Sequence, residues 1–351
     1  MPNAIAPTEA ILEPDLPIID PHHHLWDWPA GIFADRPAPM HGFDAVIGRS
    51  LRYLLPEFLA DLNSGHNIRA TVFVQCTSMY RADGPDAFKS LGETEFVNGV
   101  AAMCASGRYG EVRACAGIVG HVDLTMGSMA GAVLEAHLNA AGERFKGIRH
   151  SASYDADANV LGPLARIGAG LYESKAFREG YAQLAKHGLS FDSWLVEPQL
   201  PELINLARAF PDTPVILDHV GTPLGNASYQ GKRELRFPIW RDNMSKLAEL
   251  PHVSVKLGGL AMPFCNFPSF LQSPPATSEQ LAAEWKPYIE TCIELFGTQR
   301  CMFESNFPVD LGSCSYPVLW NAFKVLAQNY SAAEKAALFS GTARKVYRLE
   351  A

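Results

Sequence analysis

Ile18-Ile19-Asp20-Pro21-His22-His23-His24-Leu25-Trp26 is a short apolar run that ends in three consecutive histidines. Read as a strand, it sends successive side chains to opposite sides, so His22 and His24 share one face and His23 takes the other. Two imidazoles on one face at a strand's end can grip a metal or share a proton-transfer site. Asp20 in front and the flank Leu25-Trp26-Asp27-Trp28 behind set the cluster apart from a surface histidine tract.

Working outward, seven more apolar segments follow, at 70–75, 112–119, 145–150, 189–194, 215–219, 253–257 and 301–306. Helix-like stretches separate them at 93–106, 128–141, 176–187, 200–210, 240–250 and 282–296. Eight alternating units predict an α/β chain with a parallel sheet, and eight strands close a TIM-type (β/α)8 barrel. An open doubly wound sheet is the alternative, but no glycine-rich dinucleotide fingerprint follows the first strand. Residues 1–17 read as an N-terminal extension and 18–351 as the barrel. The Pro-, Gly- and aromatic-rich stretches 26–56 and 262–278 both follow strands, which places long loops at the C-terminal mouth, where they can enclose a substrate or pack on a second subunit. Near the end, Ser331 is expected to cap one helix and Gly341-Thr342 to restart another.

Composition narrows the function. The 351 residues are 48% hydrophobic, enough for a large core, and the net charge of −8 comes from mixed charges without long like-sign runs. That argues against nucleic acid or an anionic membrane as a partner and leaves a small-molecule substrate, with a homo-oligomer open. Seven dispersed cysteines without a CxxC pair read as reduced thiols of a cytoplasmic protein. The first residues lack a basic and apolar leader pattern, and no run approaches the ~18 apolar residues of a membrane span.

Polar and charged residues recur at the ends of the apolar segments: His22 and His24, Gln75, His121, Arg149 and His150, Asp192 and Trp194, His219, Lys256, Glu304 and Asn306. Buried strand ends do not carry such groups unless they are paired or employed. A barrel would gather them at one rim.

The motifs Asp20-Pro21-His22-His23-His24-Leu25-Trp26-Asp27, Phe145-Lys146-Gly147-Ile148-Arg149, Asp218-His219-Val220-Gly221-Thr222-Pro223 and Val255-Lys256-Leu257-Gly258-Gly259 resemble the amidohydrolase superfamily. The resemblance is to its "amidohydrolase 2" branch of sugar-acid and pyrone-dicarboxylate lactonases, and it runs in order from Ile18 to about Leu349. It implies a (β/α)8 barrel that hydrolyses a C–O or C–N bond at a carbonyl centre. Metal-dependent members add a histidine on the fifth strand, another on the sixth and an aspartate on the eighth. Here the fifth strand offers Asp192 and Trp194, the sixth keeps His219, and the eighth reads Ser305-Asn306-Phe307-Pro308. Asn306 is neutral and cannot serve as a base. No metal is therefore expected to be required; zinc or manganese, where weakly held, would rest on His22, His24 and His219.

The charged work then passes to other carboxylates. Glu304, one layer below Asn306, is expected to orient His22 or His24, with Asp310 or Asp192 nearer the substrate. Lys146, Arg149 or Lys256 would bind a substrate carboxylate or the oxyanion. Trp26, Trp28, Phe264 and Phe267 would wall the pocket, with Gln75, His121 and His150 at its rim. The leading expectation is a lactonase acting on an aromatic or carboxylated ring. A metal-assisted decarboxylase and a catalytically altered ligand-binding barrel are the alternatives.

Overall fold

The computed structural model describes residues 9–34 and 40–350. The first eight residues of the expected extension and residues 35–39 of the first long loop lie outside that range. Eight parallel strands run in sequence order around one sheet: β1 (Ile18–His23), β2 (Ile68–Val74), β3 (Arg113–Gly120), β4 (Phe145–Arg149), β5 (Ser190–Ser193), β6 (Val215–Leu217), β7 (Val253–Leu257) and β8 (Cys301–Phe303). The helices that follow them are α1 (Leu55–Leu62), α2 (Leu91–Ala105), α3 (Ala130–Ala141), α4 (Lys175–Lys186), α5 (Leu200–Ala209), α6 (Arg233–Ala248), α7 (Ser278–Phe296) and α8 (Tyr316–Leu326). This is the (β/α)8 barrel that the alternating segments predict.

The seam between β8 and β1 closes just beyond the regular strands. The amide of Asn306 donates to the carbonyl of His22 at 2.9 Å, and the amide of His24 donates to the carbonyl of Phe307 at 2.8 Å. Ile19, Val72, Val74, Val119, Ile216 and Met302 form one buried apolar cluster with Ala343, Tyr347 and Leu349 of the C-terminal segment. The larger apolar cluster packs the strands against the helices.

Two helices start earlier than expected. α7 begins at Ser278 because Thr277 and Gln280 form a reciprocal capping box. α6 begins at Arg233, seven residues before the expected 240, and runs through Pro238. Ser331 caps its helix through Glu334 as expected. Gly341 does not break the chain: it keeps helical dihedrals in a π turn, Ala337–Gly341, that leads straight into Thr342–Val346.

Of the two long loops, the first contributes a small antiparallel ribbon, Trp26–Asp27 with Arg52–Tyr53, and a helix, Gly42–Ile47. Among the described residues no helix is long and apolar enough to cross a membrane.

Candidate active site

A β-bulge aims the histidine cluster. Asp20 pairs with Thr71 and His23 with Phe73, so three steps along β1 match two along β2. The extra residue resets the alternation that starts from inward Ile19. His22 and His24 then share the interior, their rings edge to face at 4.9 Å. His23 turns outward, stacks on Phe58 of α1 at 4.1 Å and meets Thr71 Oγ1 at 2.8 Å. Asp20 braces the bulge by accepting from the Ser305 amide at 3.0 Å and the Tyr316 hydroxyl at 3.0 Å.

On the far wall, Ile216 points inward, and two residues on Asp218 does too. The next residue breaks the period. His219 has φ +57°, a left-handed conformation uncommon outside glycine, so it also turns into the mouth. Gly258 and Gly259 make room: a Cβ on Gly258 would stand 2.5 Å from Glu304 Cγ, and one on Gly259 2.3 Å from His219 Nδ1.

Glu304 lies at the centre. Its Oε1 accepts from His219 Nδ1 at 2.7 Å and from the His219 amide at 3.1 Å, and its Oε2 stands 2.8 Å from His22 Nδ1. With Nδ1 donating, Nε2 of His219 carries the lone pair, a tautomer assigned from these partners. Neither that Nε2 nor the Nε2 of His24, whose Nδ1 contacts the Val74 carbonyl at 2.7 Å, has a hydrogen-bond partner among the described residues. Burial alone would raise the Glu304 carboxyl, but the flanking imidazoles His219 and His22 hold it below the usual range. His22 is pushed down to about 4 by burial and then by Lys256.

Two cations complete the cluster. Arg149 donates from Nε to Gln75 Oε1 at 3.0 Å and from Nη2 to the Gln75 carbonyl. Its Nη1 lies 3.3 Å from His22 Nε2 and 3.4 Å from Asp218 Oδ2. Lys256 is fully buried, 2.6 Å from Asp192 Oδ2 and 2.9 Å from Asp218 Oδ1. Asp192, driven up to about 6 mainly by burial, also accepts from the Tyr347 hydroxyl at 2.6 Å.

Asn306 donates from Nδ2 to Asp310 Oδ1 at 2.8 Å. Burial lifts the Asp310 carboxyl well above the ordinary carboxylate range, which favours its protonated form. The Trp26 ring stacks on His24 at 5.9 Å, its indole N–H held by the Ser50 carbonyl. Trp194 lies beside Arg149, 5.9 Å from the guanidinium, and meets Phe264, which also faces Phe43 and His41.

Several expected members stand elsewhere. Lys146 lies near the start of β4, at the opposite end of the barrel, and donates to the Arg348 carbonyl at 3.1 Å, so it cannot meet a substrate at the mouth. Lys256 and Asp192 lie beneath the histidines and not beside a substrate, because each is the other's buried partner. His150 faces the helix layer, accepting from the Leu124 amide at 3.2 Å and packing on Phe177 of α4. His121 pairs with it, ring to ring at 5.1 Å, and contacts the Arg149 carbonyl. Phe267 packs under the Arg233 guanidinium, 3.8 Å away, and not on the site.

Two residues were missed. Asp218 is signalled by its period-two spacing from Ile216. Tyr347 has no local signal, since it reaches Asp192 from the C-terminal segment.

Residues 19–349 match the family described as amidohydrolase. The chain belongs to the amidohydrolase family. It is 33% identical over 347 residues to the uncharacterized protein y4mH of Sinorhizobium fredii, covering 95% of this chain and 99% of that one. It is 29% identical over 336 residues to an L-fucono-1,5-lactonase of Burkholderia multivorans, covering 94% and 96%. Among solved structures, an amidohydrolase from Burkholderia multivorans, crystallised once with HEPES and once with zinc, superposes with a TM-score of 0.70 at 27% identity, covering 95% of this chain and 99% of that one.

His22, Asp218 and His219 could in principle hold such an ion, since one ligand atom from each lies within 4.8 Å of the others. That trio differs from the expected His22, His24 and His219 in having Asp218 in place of His24. Two of the three donors, His22 and Asp218, are engaged by neighbouring charges, however, whereas His219 keeps Nε2 free among the described residues. Both ring nitrogens of His22 abut charged groups, His219 Nδ1 is bound to Glu304, and Asp218 lies against Lys256 and Arg149. A divalent ion would enter between two fixed cations, so the arrangement does not fit a tightly held metal.

Proposed function

We propose that this amidohydrolase is a lactonase. The observation that carries the reading is the Glu304–His219 pair, which fixes one imidazole nitrogen on a carboxylate and leaves the other without a partner at the mouth. Such a base, held in one tautomer by a buried acid, is suited to activate water. Nε2 of His219 takes a proton from water, whose oxygen bonds to the lactone carbonyl carbon. Arg149, reaching the mouth beside His22, steadies the charge that develops on the carbonyl oxygen. The ring C–O bond then breaks, the proton on His219 passes to the departing alkoxide, and a hydroxy acid leaves.

Phe264, Phe43 and Trp194 favour a ring with an apolar face, aromatic or carboxylated, while the relative named L-fucono-1,5-lactonase brings sugar lactones into range. The reaction requires no added divalent metal, because Lys256 and Arg149 already lie against His22 and Asp218, where the ion would have to enter. The same arrangement speaks against a metal-assisted decarboxylase. Seven free cysteines, six of them buried, are in keeping with a cytoplasmic setting.

The test is acid release, followed with a pH indicator, across a panel holding L-fucono-1,5-lactone, other sugar lactones and aryl-fused lactones. Turnover that survives chelation and is lost in His219→Asn supports the reading. Absence of turnover on every lactone refutes it.

A further inference from the structure

Of the donor group His22, Asp218 and His219, a cation already stands against two members, His22 and Asp218. Nζ of Lys256 lies 2.9 Å from Asp218 Oδ1 and 3.1 Å from His22 Nδ1, and the side chain is completely buried. An ammonium in such a place stays charged only where anions surround it. Asp192 and Asp218 touch it, and Glu304 lies beyond on the same His22 ring. Its position is fixed from below. Asp192 binds it at 2.6 Å and is itself held by the Tyr347 hydroxyl, whose ring centre stands 5.6 Å from Nζ. Three buried carboxylates and two fixed cations, Lys256 and Arg149, share this interior, so the ammonium also supplies charge that the core needs.

We infer that Lys256 is the resident cation of this site, a covalently attached ammonium standing where a divalent ion would otherwise bridge Asp218 and His22, clamped there by Asp192 and Tyr347. The inference concerns occupancy of the donor group and holds whatever substrate the enzyme takes. It also makes a gain-of-binding prediction: removing the ammonium should expose a metal site that the native chain keeps closed.

The experiment is calorimetric titration of chelator-treated protein with zinc chloride, with metal counted after desalting. The wild type is expected to retain no zinc that depends on Asp218. Lys256→Met should retain one zinc per chain, bound at least about tenfold tighter than anything the wild type holds, and Lys256→Met combined with Asp218→Asn should lose it. Where Lys256→Met does not fold, Lys256→Met with Asp192→Asn removes the ammonium together with one of its anions and answers the same question. The inference is overturned if the wild type itself retains one zinc per chain that Asp218→Asn abolishes. It is equally overturned if folded variants without the ammonium gain no affinity.

Discussion

Nδ1 of His219 donates to Oε1 of Glu304 at 2.7 Å, and the same oxygen accepts the His219 backbone amide at 3.1 Å. One carboxylate oxygen therefore sets both the ring and the unusual backbone turn of the residue that carries it. Glu304→Gln keeps the shape but removes the charge. It should lower kcat on the order of a hundredfold or more with KM little changed, because orientation and charge support act mainly in the transition state. Steady-state kinetics on the best lactone check this; a variant with near wild-type kcat would remove Glu304 from the mechanism.

Gly259→Ala should injure the same residue from the other side. The new methyl would meet the His219 ring at 2.3 Å, on a backbone whose φ of +65° suits glycine. We expect a loss of roughly 1–3 kcal/mol in stability together with a fall in turnover larger than that loss explains. Denaturant melts and kinetics on the same preparation separate the two effects.

Asn306 tests how a neutral amide is used beside a buried acid. Asn306→Ala should cost about tenfold to hundredfold in turnover through misplacement of groups at the seam. Asn306→Asp would set a second carboxylate against Asp310, and two adjacent buried carboxyls share a proton. Its thermal midpoint should fall further below wild type as pH rises from 5 to 8. A constant gap across that range would show that the two groups do not interact.

Acid sensitivity has a clean reporter away from the site. His137 is buried on α3, its ring nitrogens 2.8 Å from Thr94 Oγ1 and 3.3 Å from Ser90 Oγ, and burial lowers its pKa from 6.5 to about 4. Between those values the unfolded chain binds a proton that the folded chain refuses. The stability from this group is therefore complete above pH 6.5 and is lost as pH falls toward 4. His137→Gln should flatten the dependence of unfolding free energy on pH in that window by up to about 1.4 kcal/mol per unit. Parallel curves for the two proteins would exclude His137 as a source.

What could be read from the sequence follows from period. Strand alternation carries one reliably from Met302 to Glu304 and from Ile216 to Asp218, and apolar runs between helices fix the barrel. It cannot see where the period is broken. The bulge at Asp20-Pro21 and the left-handed turn at His219 both redirect catalytic-type side chains, and neither has a glycine to announce it. Lys146 and Arg149 share one sequence motif, yet three strand residues span about 10 Å, enough to separate one end of a barrel strand from its mouth. Tyr347 lay beyond reach altogether, since only the assembled barrel brings the C-terminal segment under Asp192.

His22 and Glu304 belong to opposite sides of the seam, joined by the pairing of His22 with Asn306 and of His24 with Phe307. The buried cluster around Glu304 is therefore split between the first and last strands until the ring of strands shuts. Long-range pairings of this kind form slowly during folding. In a refolding experiment, far-UV ellipticity should return before activity does, and the interval between the two measures the time the chain spends as an open, inert sheet.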